Sequence, residues 1–199
     1  MLNSTSLAIL AGGESRRMSG VDKALIRLGG LTIIDRIIDS AGSLFSEILI
    51  VTNKPEEFVD YTLCKIISDQ FVSMGPLGGI HAALKSSQEG YVFFLACDMP
   101  LVSSEIIRNQ IGFFLENDFE IVAASINNKI EPLHSLFDVS VASRLEDYLK
   151  TNKNPSVRNF IKLCRTGYFE IESTDPKLKA FSNINTSEDL NKLRRDLGY

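Results

Sequence analysis

The sequence predicts a three-layer, doubly wound α/β fold on a mainly parallel sheet. Two observations carry this. From Leu7 to Ile126, apolar runs of strand length alternate with stretches of helical periodicity; such alternation implies parallel strands covered by helices on both faces. Polar loops follow Leu10, Val51 and Ala96, where strands of that sheet end, and ligands of such sheets bind beyond the carboxyl ends of the strands.

The elements follow in order. Leu7–Leu10 reads as a buried first strand, followed at once by Gly12 and Gly13. Ala24–Leu28 with Gly29-Gly30 reads as a short strand and turn. Between Thr32 and Leu44, Ile33, Ile34, Ile37, Ile38 and Ala41 fall at helical spacing. Glu47–Thr52 and Cys64–Ser68 are further strands, and Pro76–Ser87 is a helix with proline in its first turn. Tyr91–Ala96 has the composition of a fully buried strand, Ser103–Asn117 is an amphipathic helix, and Ile121–Ile126 is again a strand. Leu133–Phe137 reads as a strand, antiparallel to its neighbours, before helical stretches at Val139–Leu149 and Val157–Leu163. Thr166–Glu172 alternates like a strand, and Thr186 caps the last helix with Asp189 as capping-box partner. No repeat, low-complexity tract or long linker interrupts the 199 residues, so one domain is expected.

Composition narrows the partners. With 44% hydrophobic residues the chain can fill a core. A net charge of −4 and a pI near 5.3 argue against nucleic acid or an anionic membrane as the main partner. No apolar run is long enough to span a bilayer, and no basic region precedes the first apolar run, so neither a membrane span nor a secretory signal is expected. Cys64, Cys97 and Cys164 form no C-x-x-C, and His81 and His134 lie far apart, which disfavours structural zinc and fits reduced thiols in the cytoplasm.

Chemistry concentrates in Leu10-Ala11-Gly12-Gly13-Glu14-Ser15-Arg16-Arg17-Met18-Ser19-Gly20-Val21-Asp22-Lys23. The glycines let backbone N–H groups approach a ligand, and Arg16, Arg17 and Lys23 supply cations; together they suit a polyanion such as a triphosphate. The spacing is neither that of a Walker loop nor G-x-G-x-x-G. A second motif, Ala96-Cys97-Asp98-Met99-Pro100, follows the most apolar strand. A lone carboxylate at that edge suits magnesium, which takes few carboxylates and bridges phosphate oxygens; a helix-capping turn is the other reading. Asp69 and Gly75-Pro76-Leu77-Gly78-Gly79 follow the third strand. A carboxylate accepts the adjacent N1–H and 2-amino donors of guanine in a fork, although a turn at Asp69 and tight helix packing at Gly78 explain the same residues. Asn53 is a further candidate base contact or a turn residue. On the acceptor side, Asn183 and Asn185 would share one face if their segment is extended, although an Asn-rich turn leading into the last helix explains them equally, and Arg158 stands at a helix start where it could hold a phosphate.

The pattern Leu10–Lys23 resembles the N-terminal motif of nucleotidyltransferases of the Rossmann-like GT-A type, and within them most closely the molybdenum cofactor guanylyltransferases. Gly75–Gly79, Cys97–Pro100, Glu131–Phe137 and Phe181–Leu190 resemble other segments of that family, while Ser19 stands where related chains often have glycine. The resemblance implies transfer of GMP from GTP to the terminal phosphate of Mo-molybdopterin, with release of pyrophosphate. It implies nucleotide contacts from Leu10, Ala11, Gly12, Gly13, Lys23, Asn53, Asp69, Gly78 and Asp98, and Mg2+ on Asp98. Arg17, Lys23 and Asp98 are the implied catalytic residues, and Arg158, Asn183 and Asn185 the implied acceptor contacts. The N-terminal half then binds nucleotide and the C-terminal half the acceptor; molybdoenzymes or other molybdenum cofactor biosynthesis proteins are candidate partners. A cytidylyl- or adenylyltransferase on molybdopterin or a sugar or alcohol phosphate, and a non-catalytic pterin or nucleotide carrier, are the alternatives.

Overall fold

Every residue of β1 (Thr5–Leu10) is buried, because this strand lies near the centre of a seven-stranded sheet. The structure, a computed structural model, describes residues 4–12, 22–71, 73–172 and 174–199. Past β1, the chain forms a 3-10 turn over Lys23–Leu25, capped by the Asp22 carboxylate, which accepts from the Ala24 N–H at 3.0 Å. The hairpin of β2 (Arg27–Leu28) and β3 (Leu31–Thr32) follows, with Gly29 and Gly30 both at positive φ. The short strand expected over Ala24–Leu28 is thus reduced to its last two residues. The local cap offered by Asp22 wins over extension at Ala24 and Leu25.

Helix α1 (Ile33–Ala41) opens on a capping box of Thr32 and Asp35 and buries Ile33, Ile34, Ile37 and Ala41. Then come β4 (Glu47–Val51), β5 (Lys65–Ile67), α2 (Pro76–Ser86), β6 (Tyr91–Ala96), α3 (Ser104–Leu115) and β7 (Ile121–Ile126). The chain ends with β8 (Lys129–Asp138), α4 (Ala142–Thr151), α5 (Val157–Ile161), β9 (Thr166–Ile171) and α6 (Ser187–Asp196), the last opened by the expected Thr186–Asp189 capping box.

The sheet order is β5-β4-β1-β6-β8-β7-β9. β1 runs parallel to both β4 and β6, β5 is parallel to β4, and β9 to β7. β8 is antiparallel to β6 and β7. Alternate side chains of β1 serve opposite layers, as strand geometry requires. Leu7 and Ile9 pack with Ile34 and Ile37 of α1, Ile107 and Ile111 of α3, and Leu193 of α6. Ala8 and Leu10 pack with Leu77 and Ile80 of α2, Leu145 of α4 and Phe160 of α5. From β1 the strand order grows outward through β4 to β5, then restarts at β6 on the opposite side. The crevice of a doubly wound sheet opens at that switch, beyond the carboxyl ends of β1 and β6.

β8 is longer than the sequence pattern suggests. Its pairing with β7 jumps from Ala123↔Ser135 to Ala124↔Glu131, so Pro132, Leu133 and His134 form a bulge. The bulge houses a proline that cannot donate to a ladder, which is why the strand looks broken in the sequence. Asn127 and Asn128, at φ 50° and 62°, make the tight turn before it.

His134 is a core residue: it is fully buried, with its ring against Phe93 and Phe181. Gln110 Nε2 donates to the Val122 and His134 carbonyls at 3.1 and 3.2 Å. Its Oε1 is left to accept from His134 Nδ1 at 2.9 Å. Nδ1 therefore carries a proton, while Nε2 is buried with no partner among the described residues; burial holds the pKa at about 3 against an ordinary 6.5, so the ring is neutral. An unfolded chain takes up this proton near pH 6.5 and the folded chain does not, so the stability tied to the neutral ring is lost as pH falls from 6.5 toward 3. Between about pH 7 and about pH 5 the protein should lose about 2 kcal/mol more unfolding free energy than a His134→Gln variant. Denaturant titrations at the two pH values check this; parallel losses would contradict it.

Candidate active site

The parallel ladders run one residue past the strand ends at the switch point. Ala11 N–H donates to the Val51 carbonyl at 2.9 Å, Cys97 N–H to Leu10 at 3.2 Å, and Thr52 N–H to Ile67 at 2.9 Å. The exit loops of β1, β4, β5 and β6 therefore leave the sheet side by side. A Cβ at Gly12 would meet only ordinary contacts, 3.8 Å from the Val51 carbonyl oxygen and 4.0 Å from Thr52 Cα. Packing against the described residues thus does not require glycine here. The predicted phosphate contacts Gly13, Arg16 and Arg17 lie outside the described residues, as does Ser19.

Two clusters flank this edge. In the first, the structure brings Lys23, Asp98, Asn183 and Asn185 together. Ile184 N–H donates to the Asp98 carbonyl at 2.9 Å, and Lys23 Nζ donates to Asn185 Oδ1 at 3.1 Å. Ile184 is buried while Asn183 and Asn185 are exposed, the alternation expected of an extended segment. Burial pushes the Asp98 carboxyl above its ordinary range, and the Lys23 ammonium pulls it partly back. Asp98 Oδ1 is buried and has no hydrogen-bond partner among the described residues.

That orphaned oxygen is the test of whether a divalent metal fits. A buried carboxylate oxygen left unpaired is costly, and a hard cation is the partner its chemistry calls for. No group of three or more His, Cys, Asp or Glu among the described residues could hold a metal. A lone buried carboxylate of this kind suits a divalent cation that takes one or two carboxylates and completes its shell with substrate oxygens. Neighbouring Cys97 is no nucleophile: burial and the carboxylates of Asp22 and Asp98 push its thiol far up.

The second cluster joins Asn53, Asp69 and Gly78. Asp69 Oδ1 accepts from the Phe71 N–H at 2.6 Å, and Asp69 N–H donates to Asn53 Oδ1 at 3.3 Å. Asn53 therefore braces the loop that carries Asp69. A Cβ at Gly78 would overlap both Asp69 carboxylate oxygens, so only glycine in the first turn of α2 leaves them room. Burial raises the Asp69 pKa, while the Phe71 N–H and nearby His81 lower it. Gly79 lets α2 press on the sheet: a Cβ there would lie 3.1 Å from Val51 Cγ1 and 3.3 Å from Leu10 Cδ2.

Arg158, on α5, is exposed and donates to the Ile130 carbonyl at 2.7 Å, beside the start of β8. Asp22 is a residue to which the sequence pattern assigns no role. It is 7% exposed, and its cap on Ala24 N–H fixes the turn that aims Lys23. The available signal was an aspartate immediately ahead of a short turn, the usual N-cap arrangement.

Comparison with known proteins identifies the family. Residues 7–166 match the family described as MobA-like NTP transferase domain. A probable molybdenum cofactor guanylyltransferase of Clostridium perfringens is 35% identical over 96% of both chains. The molybdenum cofactor guanylyltransferase of Syntrophotalea carbinolica is 34% identical over 96% of this chain and 90% of its own. The crystal structure of molybdopterin-guanine dinucleotide biosynthesis protein A from Archaeoglobus fulgidus superposes with a TM-score of 0.83 at 24% identity, covering 97% of this chain and 98% of that one. A 4-diphosphocytidyl-2C-methyl-D-erythritol synthase from Anaerococcus prevotii shares the fold at a TM-score of 0.74 and 16% identity, covering 100% and 97%. Matched in family and in near full-length relatives, the chain belongs to the molybdenum cofactor guanylyltransferases of the MobA-like NTP transferase family.

Proposed function

We propose that this protein transfers GMP from GTP to the terminal phosphate of Mo-molybdopterin, releasing pyrophosphate and forming molybdopterin guanine dinucleotide. The observation that carries the reading is the buried Asp98 oxygen at the switch point, without a partner among the described residues, with Lys23 and the Asn183–Asn185 segment gathered around it. An acceptor phosphate oxygen attacks the α-phosphorus in line. The bond to the bridging oxygen breaks, and its electron pair leaves with pyrophosphate. The nucleophile is already anionic, so no general base is needed, and catalysis is positioning plus charge neutralisation.

In this reading the backbone from Leu10 to Gly13 cradles the phosphates. Arg17 and Lys23 offset charge on the α-phosphate and leaving group. Asp98 would hold Mg2+, which when bound neutralises phosphate charge. Asp69, held in place by Asn53 and given room by Gly78, accepts the donor pair of guanine. Arg158, Asn183 and Asn185 hold the acceptor. The N-terminal half thus serves the nucleotide and the C-terminal half the pterin.

We place the reaction in the cytoplasm, a reading supported by three free cysteines. Among the described residues, no helix is long and apolar enough to cross a membrane. Incubation with GTP labelled in the α-phosphate, Mo-molybdopterin and Mg2+ should put label into a guanine dinucleotide, and chelation should stop it. Hydrolysis of GTP without labelled pterin product would overturn the assignment of the acceptor.

A further inference from the structure

The β8 bulge has a consequence for the acceptor side. Pairing of β6 with β8 ends at Leu95↔His134, just where β6 runs out toward Cys97 and Asp98. On its other side, β8 resumes pairing with β7 at Glu131 only after skipping Pro132, Leu133 and His134. The bulge is pinned from several directions. Ser135 Oγ donates to the Pro132 carbonyl at 2.8 Å, and Gln110 Nε2 donates to the His134 carbonyl at 3.2 Å. Arg158 donates to the carbonyl of Ile130, the residue before Glu131. Bulges next to active sites commonly re-aim a side chain.

Glu131 sits half-buried at the carboxyl edge of the sheet. Burial raises its pKa; the Arg158 guanidinium opposes this, and the Asp98 carboxylate is close enough to add to it. Asp98 past β6 and Glu131 on β8 each lie three residues beyond the Leu95↔His134 pair, so the antiparallel register sets Glu131 level with the Asp98 loop, beside the Arg158 bond to Ile130.

We propose that Glu131 is a specificity-determining residue for the acceptor, its carboxylate accepting the paired N–H donors of a 2-amino-4-oxopteridine edge. This rests on the pterin reading above. A pterin carries N3–H and a 2-amino group side by side, the same donor pair that guanine presents, and a carboxylate accepts both in a fork. The protein then recognises its two substrates by the same chemistry, with Asp69 on the nucleotide side and Glu131 on the acceptor side.

Two measurements test this. In steady-state kinetics, Glu131→Gln should raise the KM for Mo-molybdopterin by roughly 10- to 100-fold. The KM for GTP and the Mg2+ requirement should stay as in wild type. An unchanged acceptor KM, or a raised Mg2+ requirement, would overturn the proposal. The second measurement needs no turnover: fluorescence titration of the wild-type protein with pterin and with lumazine, in which a carbonyl replaces the 2-amino group. Pterin should bind more tightly than lumazine, and Glu131→Gln should erase the difference. Equal binding to wild type would overturn the proposal even if the variant failed to fold. A wild-type protein that prefers pterin but transfers no GMP would instead count against the reaction proposed above and leave this recognition standing.

Discussion

Replacing Asp98 with alanine should lower the rate of guanylyl transfer by roughly 1,000-fold or more, the scale of losing a group that stabilises transition-state charge, while leaving a folded protein. The two halves of this expectation have different physical sources. The rate loss follows from removing the one buried carboxylate oxygen at the switch point that lacks a partner among the described residues. The retained stability follows from the direction of its pKa. Burial raises the folded pKa above 3.8, so the stability this group contributes is present below its unfolded pKa and is lost as pH rises through the folded one. At neutral pH the ionised side chain is a cost to the fold. The tether to the acceptor segment survives, because Ile184 N–H donates to the Asp98 main-chain carbonyl. Rapid-quench kinetics beside thermal melts check the pair of outcomes. Full activity in Asp98→Ala would remove the residue from the mechanism, and a collapse in melting temperature would make it structural.

The second large effect concerns the base. Asp69→Asn should cut kcat/KM for GTP by roughly 100-fold, since a donor then faces the guanine donors in a closed site, and the preference over CTP and ATP should narrow with it. Gly78→Ala should act in the same direction through a different route. Its methyl would overlap both Asp69 carboxylate oxygens and displace them, along with the bond from Phe71 N–H to Asp69 Oδ1. Nucleotide competition assays on the two variants decide the matter. If Asp69→Asn keeps wild-type selectivity, the carboxylate serves the loop and not the base.

Much of this was legible in the sequence because the fold writes its core in one dimension. The alternation of apolar runs and helical spacing from Leu7 to Ile126 specified the parallel sheet, and Gly12 and Asp98 just past strand ends lie at the edge where that sheet's crevice opens. Local chemistry also read through: the Thr186–Asp189 capping box formed as its spacing implied. What escaped depends on contacts between distant parts of the chain. The Lys23–Asn185 bond joins residues 162 positions apart, and no pattern in either segment encodes the other. Pro132 made β8 look interrupted, whereas tertiary pairing on both sides absorbs the proline in a bulge. The burial of His134 is likewise tertiary, since its partner Gln110 comes from α3.

The most direct measurement is pyrophosphate release by the wild-type protein with Mg2+ and molybdenum-loaded molybdopterin, offered GTP, CTP and ATP in parallel. The account predicts release with GTP that depends on the pterin, and little with the other two nucleotides. Release with CTP in preference to GTP would contradict the role given to Asp69, and silence with all three would contradict the pterin phosphate as acceptor.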